Sequence, residues 1–186
     1  MRTRTLLVLL PLLLSGCGYN TIQTYDERAN SAKQQISVQL QRRADLVPNL
    51  VEAVRGQARQ ELEVFTQVAR ARAGLADAVQ KGDTRQMAEA NEQLTTAMRG
   101  LMVQVEAYPQ LKSDQAFLQL QDELTGTENR IAVARTDYNT AVEAYNTYIR
   151  KFPQVLTAKV IGARPKEYFE VTSAEAREAP KVDFSR

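Results

Sequence analysis

From Ile22 onward, apolar residues return every three or four positions, the spacing that lines one face of a helix. The first stripe is Ile22, Tyr25, Ala29, Ala32, Ile36 and Leu40. It runs into Asp45-Leu46-Val47-Pro48-Asn49, where proline disfavours helix at Val47 and suits the first turn of a new helix. This places a corner at Pro48. The alternative is one long helix kinked there, because the stripe resumes at Val51 and Val54. The second stripe is Leu50, Val51, Val54, Ala58, Leu62, Phe65, Ala69, Ala76 and Val79. Gly56 lies inside it without turn-forming neighbours and reads as a point of close packing. Lys81-Gly82-Asp83 closes this helix, with glycine as the stop. The third stripe is Met87, Ala90, Leu94, Ala97 or Met98, Leu101 and Val105. Residues 107–112 form a loop around Pro109, and Ser113 or Asp114 caps a fourth helix. Its stripe is the longest: Phe117, Leu120, Leu124, Ile131, Ala134, Tyr138, Val142, Tyr145, Ile149 and Phe152.

Four amphipathic helices with short connections predict an all-α fold, an up-down antiparallel four-helix bundle over residues 17–152. Residues 153–186 make an irregular C-terminal tail, since Pro153, Gly162, Pro165 and Pro180 prevent a long helix. Val155, Leu156, Val160, Ile161, Tyr168, Phe169, Val182 and Phe184 make it too apolar for a free tail, so it should fold back in part on the bundle. In an up-down bundle Tyr145, Tyr148 and Phe152 return to the level of Tyr19 and Tyr25.

The start of the chain changes the picture. Arg2 and Arg4 precede an apolar run over residues 6–14, broken by Pro11, and Leu14-Ser15-Gly16-Cys17 comes next. Residues 1–16 have the layout of a secretory signal peptide. With the sole cysteine directly after the small pair, the segment resembles a bacterial lipoprotein signal. In that class the Cys17 thiol takes a diacylglyceryl group, the chain is cut between Gly16 and Cys17, and the new N-terminus is acylated, typically with palmitate. Two acyl chains give stable anchoring where one gives marginal binding. The competing reading is a retained transmembrane helix, but the run is about half the roughly 20 apolar residues a span needs. Gly18 is not the aspartate of an inner-membrane retention signal, so the periplasmic face of the outer membrane is favoured in an organism with two membranes.

Composition then excludes function classes. Without the two signal arginines the 24 basic residues fall level with the 22 acidic ones, and no element shows the basic excess of a nucleic-acid binder. Histidine is absent and the one cysteine is committed, which removes the commonest zinc ligands and any Ser-His or Cys-His pair. No Gly-rich phosphate loop and no GxSxG elbow occurs. Adjacent carboxylates such as Asp122 and Glu123 point about 100° apart on a helix and form no acid–base pair by spacing alone. The reading is not an enzyme, with no cofactor and no metal.

Four stretches carry a family resemblance. They are QLQRRADLVPNLVE at residues 39–52, ARARAGL at 69–75, QLQDELTGTENRIAVARTDYNTAVEAYN at 119–146, and PKVDF at 180–184. Together they resemble the LemA family over essentially the whole mature chain. The resemblance implies a membrane-attached, extracytoplasmic, all-helical protein with a four-helix core and no established reaction. Many members look to keep an uncleaved N-terminal membrane helix, and Cys17 departs from that pattern. Within the first motif, Arg42, Arg43, Asp45 and Asn49 crowd the expected corner. They either satisfy helix ends, as cap residues do, or form a recognition tip for a partner. Glu128 lies four residues after Leu124 and three before Ile131, an inward phase that makes it a register-setting charge or an internal polar site. The reading is a scaffold or accessory subunit that meets an unidentified envelope protein at the membrane, with an oligomer allowed. The alternative is a ligand-sensing bundle centred on Glu128. A hydrolase of envelope polymers is weakened by the missing chemistry.

Overall fold

The computed structural model of the protein describes residues 2–56 and 62–170, with side chains from residue 18 onward. Its elements are α1 (Arg2–Arg55), α2 (Leu62–Lys81), α3 (Thr84–Val105), α4 (Pro109–Lys112), α5 (Gln115–Tyr148) and α6 (Gln154–Val160). The fold is an all-α helical bundle. By its contacts the chain divides into two compact units. The first holds α1 up to Gln39 together with Gly126–Tyr168, and the second holds Leu40–Thr125 and the chain from Phe169.

In the second unit the core is built from Leu40, Val47, Leu50 and Val54 of α1, Phe65, Val68 and Leu75 of α2, and Met87, Leu94 and Leu101 of α3. The turn between α2 and α3 arises from two residues. Gly82 takes φ +65°, and its N–H reaches the carbonyls of Ala78 and Val79 at 3.1 Å. Asp83 then caps α3 by accepting from the Gln86 N–H at 2.9 Å. Asp114 does the same for α5, accepting from the Phe117 N–H at 2.9 Å. The loop expected around Pro109 contains the single-turn α4, with proline in its first turn.

The corner expected at Pro48 does not form: α1 continues through it to Arg55. Proline has no N–H to give the carbonyl of Ala44, one turn earlier. That carbonyl accepts from Arg72 Nε of α2 at 2.8 Å instead, so the acceptor is satisfied and the helix runs on. The break comes at Gly56, where the sequence pattern points to close packing. Gly56 is an exposed turn residue, and among the described residues a Cβ there would meet the carbonyls of Ala53 and Glu52 at 3.7 and 3.8 Å. In α2 Phe65 turns inward as expected, but the expected stripe is displaced around it. Leu62 is 62% exposed and Ala69 is exposed, while Val68, Leu75 and Ala78 turn inward. Ala58 lies outside the described residues.

In the first unit α1 buries Ile22, Ala29 and Ile36, and α5 buries Ile131, Ala134, Tyr138, Val142 and Tyr145. Ile22, Tyr145 and Ile149 cluster with Ala158 of α6, and Tyr25 and Tyr148 pack against them with ring centroids 5.2 Å apart. Phe152 continues the inward stripe by spacing but is 80% exposed, because α5 ends at Tyr148. Among the described residues no helix is long and apolar enough to cross a membrane. The Cys17 side chain, Val182 and Phe184 lie outside the described residues.

Candidate functional site

The polar residues of the first motif separate according to their phase on α1. Ile36, Leu40, Arg43, Val47 and Leu50 succeed one another at steps of four and three, so Arg43 faces inward and is 4% exposed. Its Nη1 donates to Asn91 Oδ1 at 2.6 Å and to Thr95 Oγ1 at 3.0 Å, both on α3. The Thr95 hydroxyl in turn donates to the Asn91 carbonyl at 3.0 Å. A buried cation is thus held by charge-assisted bonds to neutral oxygens. Arg42, Asp45 and Asn49 are exposed on α1. Asp45 accepts from Gln41 Nε2 at 2.9 Å, one turn away on the same helix. With no corner, these four residues do not converge. Glu128 is exposed as well, and Thr127, fully buried, takes the inward position between Leu124 and Ile131. Three-then-four spacing prevails over four-then-three, so no internal polar site forms at Glu128.

In the first unit the chain after α6 is fastened by its backbone. The Asn146 side chain, 2% exposed, accepts from the Lys166 N–H at 2.8 Å and donates to the Lys166 carbonyl at 2.9 Å. The Tyr138 hydroxyl donates to the Glu167 carbonyl at 2.8 Å. Lys166 Nζ reaches Asp26 at 3.0 Å and Asn30 Oδ1 at 2.9 Å on α1, and lies 5.3 Å from the centre of the Tyr145 ring. An extended segment cannot bond its own backbone, so helix side chains do it. Burial, and then the Asp26 carboxylate, push the Tyr145 hydroxyl above its ordinary value of 10.0.

Each unit carries an open surface among the described residues. In the second unit a cleft of about 580 Å³ lies between α1 and α2, with Val47, Pro48, Val51 and Phe65 along it and Arg55 and Arg70 beside it. In the first unit a groove of about 620 Å³ lies between α1 and α5, lined by Arg28, Gln35, Gln39, Arg130 and Asp137. Gln39 Oε1 is buried and has no hydrogen-bond partner among the described residues. Among those residues no three or more of His, Cys, Asp and Glu are grouped to hold a metal ion.

A family model described as LemA family matches residues 32–184. The chain belongs to the LemA family. It is similar to the magnetosome proteins MamQ 2 and MamQ 1 of Paramagnetospirillum magneticum, each 29% identical over 178 residues, covering 82% of this chain and 64% of theirs. It is also similar to the magnetosome protein MamQ of Magnetospirillum gryphiswaldense, 27% identical over 177 residues, covering 81% of this chain and 64% of that one. The chain therefore spans under two thirds of the length of these relatives. Membership of the LemA family supports association with the membrane envelope.

Within this LemA chain the matched segment contains both fastenings, Arg43 with Arg72 and Lys166 with Asn146. Sequence reasoning missed Arg72, Asn91, Thr95, Asn146 and Lys166. Two of the signals were present. Arg43 sits in the apolar phase of its helix, and a proline inside a continuing stripe leaves one carbonyl needing a donor. Nothing local ties Lys166 to Asn30, 136 residues earlier.

Proposed function

We propose that this LemA-family protein is a lipid-anchored, non-enzymatic scaffold of the bacterial envelope. In this reading Cys17 is acylated after cleavage behind Gly16, and the four long helices form an up-down antiparallel bundle on the outer side of the membrane. The α1–α2 cleft is the surface offered to an envelope protein. The observation that carries the reading is that cleft. It combines apolar walls with the cation Arg70 and with Arg55, which pairs with Glu52 at 3.7 Å, and Leu62 beside it stands 62% exposed. An apolar patch edged by charge suits a partner segment with an apolar anchor and acidic flanks. The relatives are named as magnetosome proteins. What we carry over is a part in a larger assembly.

A photo-crosslinking residue at Leu62 tests the cleft in cells. One discrete partner adduct should form, vanish in Arg70→Glu, and be absent with the crosslinker at Val103, which is equally exposed on α3. Equal adducts at Leu62 and Val103 overturn the assignment. Loss of alkyne-fatty-acid labelling in Cys17→Ser tests the anchor, and unchanged labelling sinks it. The ligand-sensing reading moves from Glu128 to the α1–α5 groove, where the buried Gln39 Oε1 accepts no bond. It predicts that a small molecule carrying an N–H donor protects wild-type protein against heat and does not protect Gln39→Leu.

A further inference from the structure

In the first unit α6 is packed with its small face inward. Ala158 is buried against Ile22, Tyr145 and Ile149. Its bulky residues point the other way: Leu156 is 55% exposed and Val160 87%. Phe152, four residues before Leu156, is 80% exposed, and Ile161 is 37% exposed. Spacing of four puts Leu156 and Val160 on one side of α6, and Phe152 stands in the turn just before the helix. This is the reverse of what burial in water favours: four large apolar side chains are exposed within ten residues.

Charge surrounds the patch with one sign. Between Arg150 and Lys166 the chain carries Arg150, Lys151, Lys159, Arg164 and Lys166 and no acidic residue. Lys151, Lys159 and Arg164 are exposed. Position completes the picture. Gly18 is buried, and a Cβ on it would meet Gln154 Cγ at 3.4 Å and Thr157 Oγ1 at 3.8 Å. The residue directly after Cys17 therefore lies against α6.

We infer that the exposed face of α6 and its flanks, Phe152, Leu156, Val160 and Ile161 with Lys151, Lys159 and Arg164, seat the protein on an anionic lipid surface. The inference rests on the lipid-anchor reading for its location and deepens it. Apolar side chains enter the boundary between headgroups and acyl chains while basic ends meet phosphates. An acyl anchor at Cys17 holds the neighbouring helix at that boundary, and the seated helix fixes the tilt of the bundle above it. A second copy is the weaker occupant. The exposed parts of four side chains fall well below the roughly 800 Å² per partner that a stable pair buries.

The chain has no tryptophan, so single reporters can be read in the full-length acylated protein. Phe152→Trp and Val160→Trp are compared with Val38→Trp and Val133→Trp, which replace residues 60% and 62% exposed elsewhere in the first unit. The proteins are reconstituted in phosphatidylcholine vesicles containing brominated lipid, with and without phosphatidylglycerol. Quenching at 152 and 160 should exceed that at 38 and 133 several-fold with phosphatidylglycerol. It should fall in the Lys151→Glu, Lys159→Glu pair. Equal quenching at all four positions overturns the inference. So does a vesicle-free dimer whose dilution restores exposure of the reporter at 152. Mass spectrometry of the N-terminal peptide reads acylation separately. In full-length Cys17→Ser, weaker, salt-sensitive quenching at 160 on phosphatidylglycerol vesicles supports the face by itself. Its absence there and in acylated protein removes the face and leaves the anchor standing.

Discussion

The two units close their cores with opposite materials. In the second, helix meets helix, and arginine side chains bond neighbouring helices: the buried Arg43 to Asn91 and Thr95, and the half-buried Arg72 to the Ala44 carbonyl. In the first, two long helices have the short α6 and an extended segment as their cover, and the buried polar groups bond backbone: Asn146 to Lys166, Tyr138 to Glu167. A helix arrives with its own hydrogen bonds made, so side chains are needed only at its irregularities. An extended segment arrives with none made and must be bonded residue by residue. The difference teaches that a segment without helical hydrogen bonds draws side chains onto its backbone, whereas a helix can turn a cation such as Arg43 inward for bonds to the side chains of its neighbour.

The largest test breaks the helix-to-helix fastening. Arg43→Ala should cost about 3 kcal/mol in urea melts, because two charge-assisted bonds are lost and the half-buried oxygens of Asn91 and Thr95 lose their donor. Arg43→Lys should recover only part, since one ammonium does not reproduce the fork. A loss below about 1 kcal/mol for Arg43→Ala would mean that the cation contributes no net stability.

Next comes the backbone fastening. Asn146→Ala should cost about 2 kcal/mol, leaving the N–H and carbonyl of Lys166 unpaired. It should also sharply speed hydrogen exchange at the Lys166 amide, where Arg43→Ala should change exchange only through global stability. Similar Lys166 exchange in Asn146→Ala and wild type would show that the segment is held by its apolar contacts.

Smaller, but more diagnostic, is a double-mutant cycle at Pro48. Arg72→Ala should cost about 1–2 kcal/mol beside proline and close to nothing in Pro48→Ala, where a restored N–H serves the Ala44 carbonyl. Additive losses would separate Arg72 from the proline.

The smallest effect is a pH dependence. The Tyr145 hydroxyl titrates higher folded than unfolded, so above about pH 10 the unfolded chain loses this proton first. Its contribution is present below that pH and declines up to the folded value. In Tyr145→Phe the alkaline fall in thermal midpoint should be shallower. An identical slope in both proteins would remove Tyr145 as a contributor.

The helical fold was legible because most stripes are long and regular. Ile22 to Leu40, Met87 to Val105 and Phe117 to Ile149 point inward largely as spacing requires. Periodicity failed where two phases fit equally, as at Thr127 and Glu128, and after Phe65, where Val68 and not Ala69 turns inward. Pro48 misled because its local preference for a corner was overridden by a donor 24 positions away that no local rule supplies. The recognition corner built on that turn dissolved with it. The partner of Lys166 was illegible for a different reason: periodicity describes which face a helix turns inward, and says nothing about which loop crosses it.

The bond between Arg72 and Ala44 also orders events in time. A ribosome delivers residue 48 well before residue 72. Until α2 emerges and lies alongside, the last turns of α1 contain a carbonyl with no amide behind it. The continuation of α1 to Arg55 is therefore completed by a residue from the next helix. A chain halted between those two positions would keep a hinge at Pro48 that the finished protein lacks.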